Sequence, residues 1–150
     1  MSLKEKLLSD MKGAMKQRDT LRLNTIRSIN SEIKNQEISL RETLGDEQII
    51  SLIASQIKKR KEAAALFEKG GRADLCEKEK QEVTILETYM PAQASEEDLR
   101  GRIEAIIGEV GAKGPADMGK VMKAVVPEFK GRADNALIKN IVNEILGRAS

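Results

Sequence analysis

The chain has 150 residues, a third of them charged, and a formal net charge of only +2. It contains no histidine, no tryptophan and one cysteine, Cys76. These counts exclude an imidazole base, a histidine metal ligand and an intrachain disulfide. The near-neutral total also predicts no global field that would favour nucleic acid over other partners.

Apolar residues recur at helical spacing along the chain, and no segment keeps the alternating period of a strand. We therefore predict an all-α protein. Its N-terminal four-helix part covers residues 1–93, and a small C-terminal three-helix bundle covers residues 94–150. The first helix has an apolar face from Leu3 to Met15, a break is predicted at residues 17–19, and Asp19 is predicted to cap the second helix.

Three breaks divide the rest of the N-terminal part. The segment 38–45 is predicted to connect the second and third helices, with Asp46 as the next N-cap. The Gly70–Gly71 pair should end the third helix, because glycine adopts the left-handed conformation without strain. A fourth helix is predicted from Arg72 to Met90, where Pro91 stops it.

The C-terminal part opens on a helix-start signal. Ser95 begins a capping-box pattern in which Asp98 replaces the usual glutamate. Three glycines and a proline within residues 108–115 should break the fifth helix. A short sixth helix is predicted to stop near Pro127, and Asp134 to cap a seventh.

Several local patterns have ordinary structural explanations. The glycines of 108–114 lack the spacing of a phosphate-binding loop, so a helix-ending loop is favoured. The run Lys58–Lys61 spreads around a helix, which favours a solvated surface over contact with nucleic acid or an acidic partner. The acids within 77–82 alternate with lysines, as on a solvated, salt-bridged face. Cys76 is predicted to be a small core residue.

A candidate binding segment lies between Lys113 and Lys139, with six basic and three acidic residues. Lys120 and Lys123 are three apart and share a helical face. Lys130 and Arg132 precede a helix N-terminus, where free N–H groups and the helix dipole favour an anion. This pattern suits phosphate contact, and an ordinary charged surface is the alternative.

Two glycines belong to the same segment. Gly119 lies within the predicted sixth helix, where glycine costs about 1 kcal/mol relative to alanine. Close helix packing would explain it, and so would a close approach by a ligand or another backbone. Gly131 is predicted to shape the surface between Lys130 and Arg132. We predict no metal site, no cofactor and no catalytic residue.

Three features of the sequence bear on the location of the protein in the cell. The first residues lack the apolar run of a signal peptide, and no stretch approaches the ~20 apolar residues that span a bilayer. A lone cysteine suits a reducing compartment. The sequence therefore predicts a cytoplasmic protein without a membrane partner.

Six stretches match a known family pattern. They are Leu21 to Arg27, Ser31 to Asn35, Gly71 to Leu75, Tyr89 to Pro91, Met118 to Met122 and Lys130 to Asp134. Through them the chain resembles the YqeY family over nearly its whole length. One departure is Asn135, where the family usually has glycine. This family is similar to the C-terminal helical region of the B subunit of the tRNA-dependent amidotransferase (GatB).

The resemblance implies two helical bundles and a role connected with tRNA. It also associates the chain with carbon–nitrogen ligase activity that uses glutamine as amido-N-donor. The chain, however, has no phosphate-binding loop and no evident nucleophile–base pair.

We therefore predict a non-catalytic module that binds tRNA, or assists an amidotransferase or aminoacyl-tRNA synthetase. Lys120, Lys123, Lys130 and Arg132 would contact phosphates. A protein–protein adaptor with a basic docking surface, and a chain that has or completes amidotransferase activity, remain alternatives.

Overall fold

The computed structural model describes residues 1–149, and every regular element in that range is helical. The α-helices are α1 (Leu3–Gln17), α2 (Thr20–Leu40), α3 (Asp46–Lys69), α4 (Ala73–Glu87), α5 (Glu96–Val110), α6 (Met118–Glu128) and α7 (Asn135–Ala149). A single 3₁₀ turn, Pro115–Asp117, leads into α6. The prediction of an all-α fold is confirmed. No helix in the described range has the length and apolarity needed to cross a bilayer.

The chain forms two compact units, and the first, Met1–Met90, contains α1 to α4. Its core is built from the helical stripes of all four helices, with Leu7, Ile29, Ile53 and Leu86 fully buried. Burying one such side chain contributes roughly 1.5–3 kcal/mol, so this shared core outweighs the helices' own propensities. Tyr89 closes the same core beyond the end of α4.

The second unit begins at Pro91 and contains α5, α6 and α7. Its separate core joins Leu99 and Ile103 of α5, Val121 of α6, and Ile138 and Leu146 of α7. The buried residues of each helix recur at helical spacing, so one face of every helix in this unit packs into the core.

Local signals explain most helix boundaries. Ser2 and Glu5 form a capping box at the start of α1, and the Asp19 carboxylate accepts the Arg22 N–H at the start of α2. Ser95 accepts the Asp98 N–H at the start of α5. Gly71 has φ +73, the left-handed conformation predicted after α3.

The structure corrects three predicted boundaries. Residues 38–40 continue α2, and Gly45, not Asp46, is the N-cap of α3. The helix α4 ends at Glu87, three residues before its predicted end. The predicted stop near Pro127 is confirmed, because α6 ends one residue later, at Glu128. Pro127 is exposed one residue from the helix end, so the carbonyl that loses its partner can be hydrated there.

Candidate nucleic-acid interface

The predicted cations Lys120 and Lys123 lie on the outer face of α6. The opposite face carries Val121 and Val125, which are fully buried in the second core. Because residues three apart on a helix are neighbours, the two exposed lysines occupy adjacent positions one turn apart. No ion pair joins either of them to another described residue.

Gly119 precedes this pair and has no packing role. A methyl group placed on its backbone would meet no atom within 4 Å. Its φ is not in the left-handed region, so its backbone does not require glycine either. The explanation by close helix packing is therefore wrong, and an approaching ligand stays a prediction.

Gly131 has a clear conformational reason. Its φ is +77, which side chains with a Cβ rarely adopt. Its carbonyl accepts the side-chain amide of Gln93 at 2.9 Å. The turn between α6 and α7 is thereby joined to the segment that precedes α5.

Arg132 is more firmly held than the predicted lysines. Its backbone N–H donates to the Phe129 carbonyl at 2.8 Å, and its own carbonyl accepts the Ala94 N–H at 2.9 Å. Its Nε donates to the Ala92 carbonyl at 3.3 Å, and its guanidinium lies 5.7 Å from the centre of the Phe129 ring. The two terminal nitrogens make no hydrogen bond within the described residues, so they stay available to an anion.

The N-terminus of α7 is already occupied by a carboxylate. Asp134 accepts the Ala136 N–H at 2.9 Å through its side chain. A negative group at this position satisfies the orphan donors and the helix dipole. The N-terminal anion site predicted beside Lys130 and Arg132 therefore already holds the protein's own carboxylate, and an external phosphate would have to be held by side chains.

The cations of the second unit fall into a group that is paired with acids and a group that is not. The arginines of α5 and α7 pair with glutamates: Arg100 with Glu96 and Glu144, Arg102 with Glu109 and Glu128, and Arg148 with Glu144. The Arg100 guanidinium lowers the pKa of Glu144 through a direct hydrogen bond.

The lysines are not neutralised in this way. We call Lys113, Lys120, Lys123, Lys130 and Lys139 the lysine set; all five are exposed, and none forms an ion pair with another described residue. Of the three acids between Lys113 and Lys139, Glu128 pairs with Arg102, and Asp117 and Asp134 accept backbone N–H groups. The positive excess of this segment is therefore left unbalanced.

A second group of cations was not singled out from the sequence. Between Met11 and Asn30 there are five basic residues and one acid, Asp19. A count of charges within this segment would have found the group, whereas the near-neutral net charge of the whole chain does not reveal it.

One prediction about the acidic residues within 77–82 is wrong. Glu82 is buried, which contradicts the solvated position expected for it. It accepts a hydrogen bond from Arg60, the third residue of the basic run on α3. Burial raises the pKa of Glu82, and the nearby Arg60 charge opposes that rise. Among the described residues, no three metal-ligating side chains converge.

Comparison with known proteins gives relatives in fungi. The chain is 39% identical to a Kluyveromyces lactis protein called "Altered inheritance of mitochondria protein 41, mitochondrial", over 73% of this chain and 61% of that protein. It is 31% identical to a protein of the same name from Pyrenophora tritici-repentis, over 95% of this chain and 80% of the other. The Vanderwaltozyma polyspora protein of that name is 33% identical over 71% and 60%. The chain thus spans less than two thirds of two of these relatives.

These names correct one prediction. Each of the three relatives is named as a mitochondrial protein. The cytoplasmic location predicted from the opening residues and the lone cysteine is therefore wrong on this comparison.

The family assignment rests on nearly the full length of the chain. The model of the Yqey-like protein family matches residues 4–146, which include all six stretches that carried the resemblance. This match covers both helical units and far more than half of the sequence. The chain belongs to the YqeY-like protein family.

Proposed function

We propose that this chain is a non-catalytic module that binds tRNA through the lysine set and Arg132. The observation that carries the proposal is the division of charges in the second unit. Arginines on α5 and α7 are neutralised by glutamates, whereas the lysines between 113 and 139 have no acidic partner. Unpaired surface cations are the groups that replace counterions on a phosphate backbone.

The composition supports contact with the backbone over contact with bases. The whole chain has one tyrosine, two phenylalanines and no tryptophan, and Tyr89 and Phe129 are buried. Base stacking needs exposed aromatic rings, so it has few candidates here. Binding is then expected to depend on shape and salt, with little preference for sequence.

Salt dependence tests this proposal. Six phosphate contacts, from the lysine set and Arg132, should contribute about −5 to the slope of log K against log salt. The variant Lys120→Ala/Lys123→Ala should make the slope shallower by about 2 and weaken binding to all tRNAs alike. The measurement is fluorescence anisotropy with labelled tRNA across a salt series.

A matched control is available on α4. Lys78 and Lys80 are exposed lysines that alternate with Glu77 and Glu79. The variant Lys78→Ala/Lys80→Ala removes the same charge from a balanced surface and should leave affinity nearly unchanged. Equal losses from both double variants, or an affinity that ignores salt, would exclude the site. Capture of an acidic protein without any tRNA affinity would favour the adaptor function instead.

A further inference from the structure

The ends of α1 and α2 share an unusual backbone feature. Arg18 and Arg41 both have φ 56, and they are the two non-glycine residues with positive φ in the described range. Each occupies the left-handed position that ends its helix, where glycine or asparagine is the common choice. An arginine there keeps a conformation that glycine adopts without strain.

Arg18 lies at the tip of a helical hairpin. The helices α1 and α2 run antiparallel, because Lys4 pairs with Glu37 at one end and the Asn30 amide contacts the Met11 sulfur at 3.7 Å in the middle. Every residue between Met11 and Asn30 therefore belongs to the half of the hairpin that contains the turn.

That half of the hairpin is strongly basic. It contains five basic residues and one acid, Asp19, whose carboxylate accepts the Arg22 N–H. Arg22 itself approaches Asp10 at 3.7 Å. The other four are exposed and form no ion pair with a described residue, and we call them the turn surface: Lys12, Lys16, Arg18 and Arg27.

The other hairpin of the first unit has no such excess. Residues 46–87, which contain α3, α4 and the turn between them, carry eight basic and nine acidic residues. Their most buried cation, Arg60, is paired with Glu82 and lies 3.7 Å from Glu79. The charge of the first unit is therefore polarised toward the α1–α2 turn.

We propose that the turn surface is a second phosphate-contact site, centred on Arg18, which binds the backbone of an RNA. The inference rests on the proposed tRNA-binding function. Charge complementarity identifies the occupant, because a group of unpaired cations with no exposed aromatic ring suits a polyanion better than a folded protein surface. Exposed Gln17, Thr20 and Asn24 beside the cations add hydrogen-bonding groups for phosphate and 2′-hydroxyl oxygens.

A single glycine substitution tests the inference. Arg18→Gly removes the guanidinium and relieves the strained backbone, so the first unit should unfold at an equal or higher temperature. The same variant should bind tRNA several-fold more weakly, with a salt slope shallower by about 1. Tyr89, the chain's one tyrosine, reports the unfolding of this unit by fluorescence.

Arg41→Gly is the matched control. Arg41 has the same φ and the same position after its helix, about 30 Å away along α2 by the rise of 1.5 Å per residue. It should show the same thermal response without a change in tRNA affinity. A helix-dipole contribution cancels in the comparison of the two variants, because both arginines follow a helix C-terminus.

The outcomes separate the two proposals. If Lys120→Ala/Lys123→Ala weakens binding and Arg18→Gly does not, the turn surface is excluded and the function stands. If wild type has no affinity for tRNA, or binds anionic phosphatidylserine vesicles instead, both fail. Equal losses in Arg18→Gly and Arg41→Gly would also overturn the inference. Lys12→Ala/Lys16→Ala gives an independent check, with an expected change in salt slope of about 2.

Discussion

Gly119 and Gly131 are both glycines of the second unit, and they obey opposite physical constraints. Gly131 needs its φ of +77, whereas Gly119 lies exposed on α6 with open space around its Cα. Spacing within the sequence could not separate them, because the sign of φ depends on how the chain turns after α6.

Alanine substitution should therefore have opposite effects at the two positions. Gly131→Ala is expected to cost about 1–2 kcal/mol, because a Cβ opposes the left-handed conformation. Gly119→Ala is expected to gain up to about 1 kcal/mol from helix propensity. Thermal unfolding followed by far-UV circular dichroism measures both.

The same pair informs the function of Gly119. If Gly119→Ala stabilises the protein and weakens tRNA binding, a close ligand approach explains the glycine. If it stabilises the protein and leaves binding unchanged, that explanation is excluded. Destabilisation by Gly119→Ala would contradict the open surroundings described above.

At the scale of helices, one buried ion pair joins three elements. Arg60 of α3 donates to Glu82 of α4 and lies 3.4 Å from the Ser28 hydroxyl of α2. Its Nε is buried without a partner, and Glu82 is only 8% exposed. Because both charges have lost much of their hydration, removing one leaves the other uncompensated.

Arg60→Ala should accordingly destabilise the first unit by about 3 kcal/mol. The double variant Arg60→Met/Glu82→Leu replaces both charges with apolar groups and should recover most of that loss. Urea unfolding monitored by Tyr89 fluorescence gives both values. A double variant as unstable as Arg60→Ala would show that the pair itself, and not an unpaired charge, determines stability.

At the scale of the whole molecule, acid should weaken both units through paired glutamates. Hydrogen bonds from Lys4 and from the Leu44 N–H lower the pKa of Glu37 in the first unit. A hydrogen bond from Arg100 lowers the pKa of Glu144 in the second. The unfolded chain then binds protons before the folded one, so stability falls as the pH drops below the ordinary glutamate value.

Glu82 contributes with the opposite sign. Its raised pKa means that the folded state binds a proton first, so acidification through that pKa favours folding. We expect Glu37→Gln to lose less stability than wild type between about pH 6 and about pH 3, because it cannot titrate. Urea unfolding across that range measures the difference, and an unchanged acid loss would contradict the role of Glu37.

The helical class could be predicted from the residues alone, because apolar residues spaced three and four apart can bury one face only as helices. The residues also predict the caps at Asp19, Ser95 and Asp134, whose side chains bond the N–H groups a few residues ahead. The family followed from stretches read directly along the chain. The burial of Glu82 and its pairing with Arg60, 22 residues away in the chain, could not be predicted in this way.

Which charged side chains lack an acidic partner depends on the folded arrangement of the helices. Lys120 and Arg102 are both cationic residues expected at the surface from the sequence. In the structure Arg102 forms ion pairs with Glu109 and Glu128, whereas Lys120 forms none with a described residue. Arg18 likewise shows its left-handed backbone only once α1 has ended and α2 has begun. The physical reason is that pairing and φ depend on neighbours that folding brings together, whereas helix periodicity and capping act within a few residues of chain.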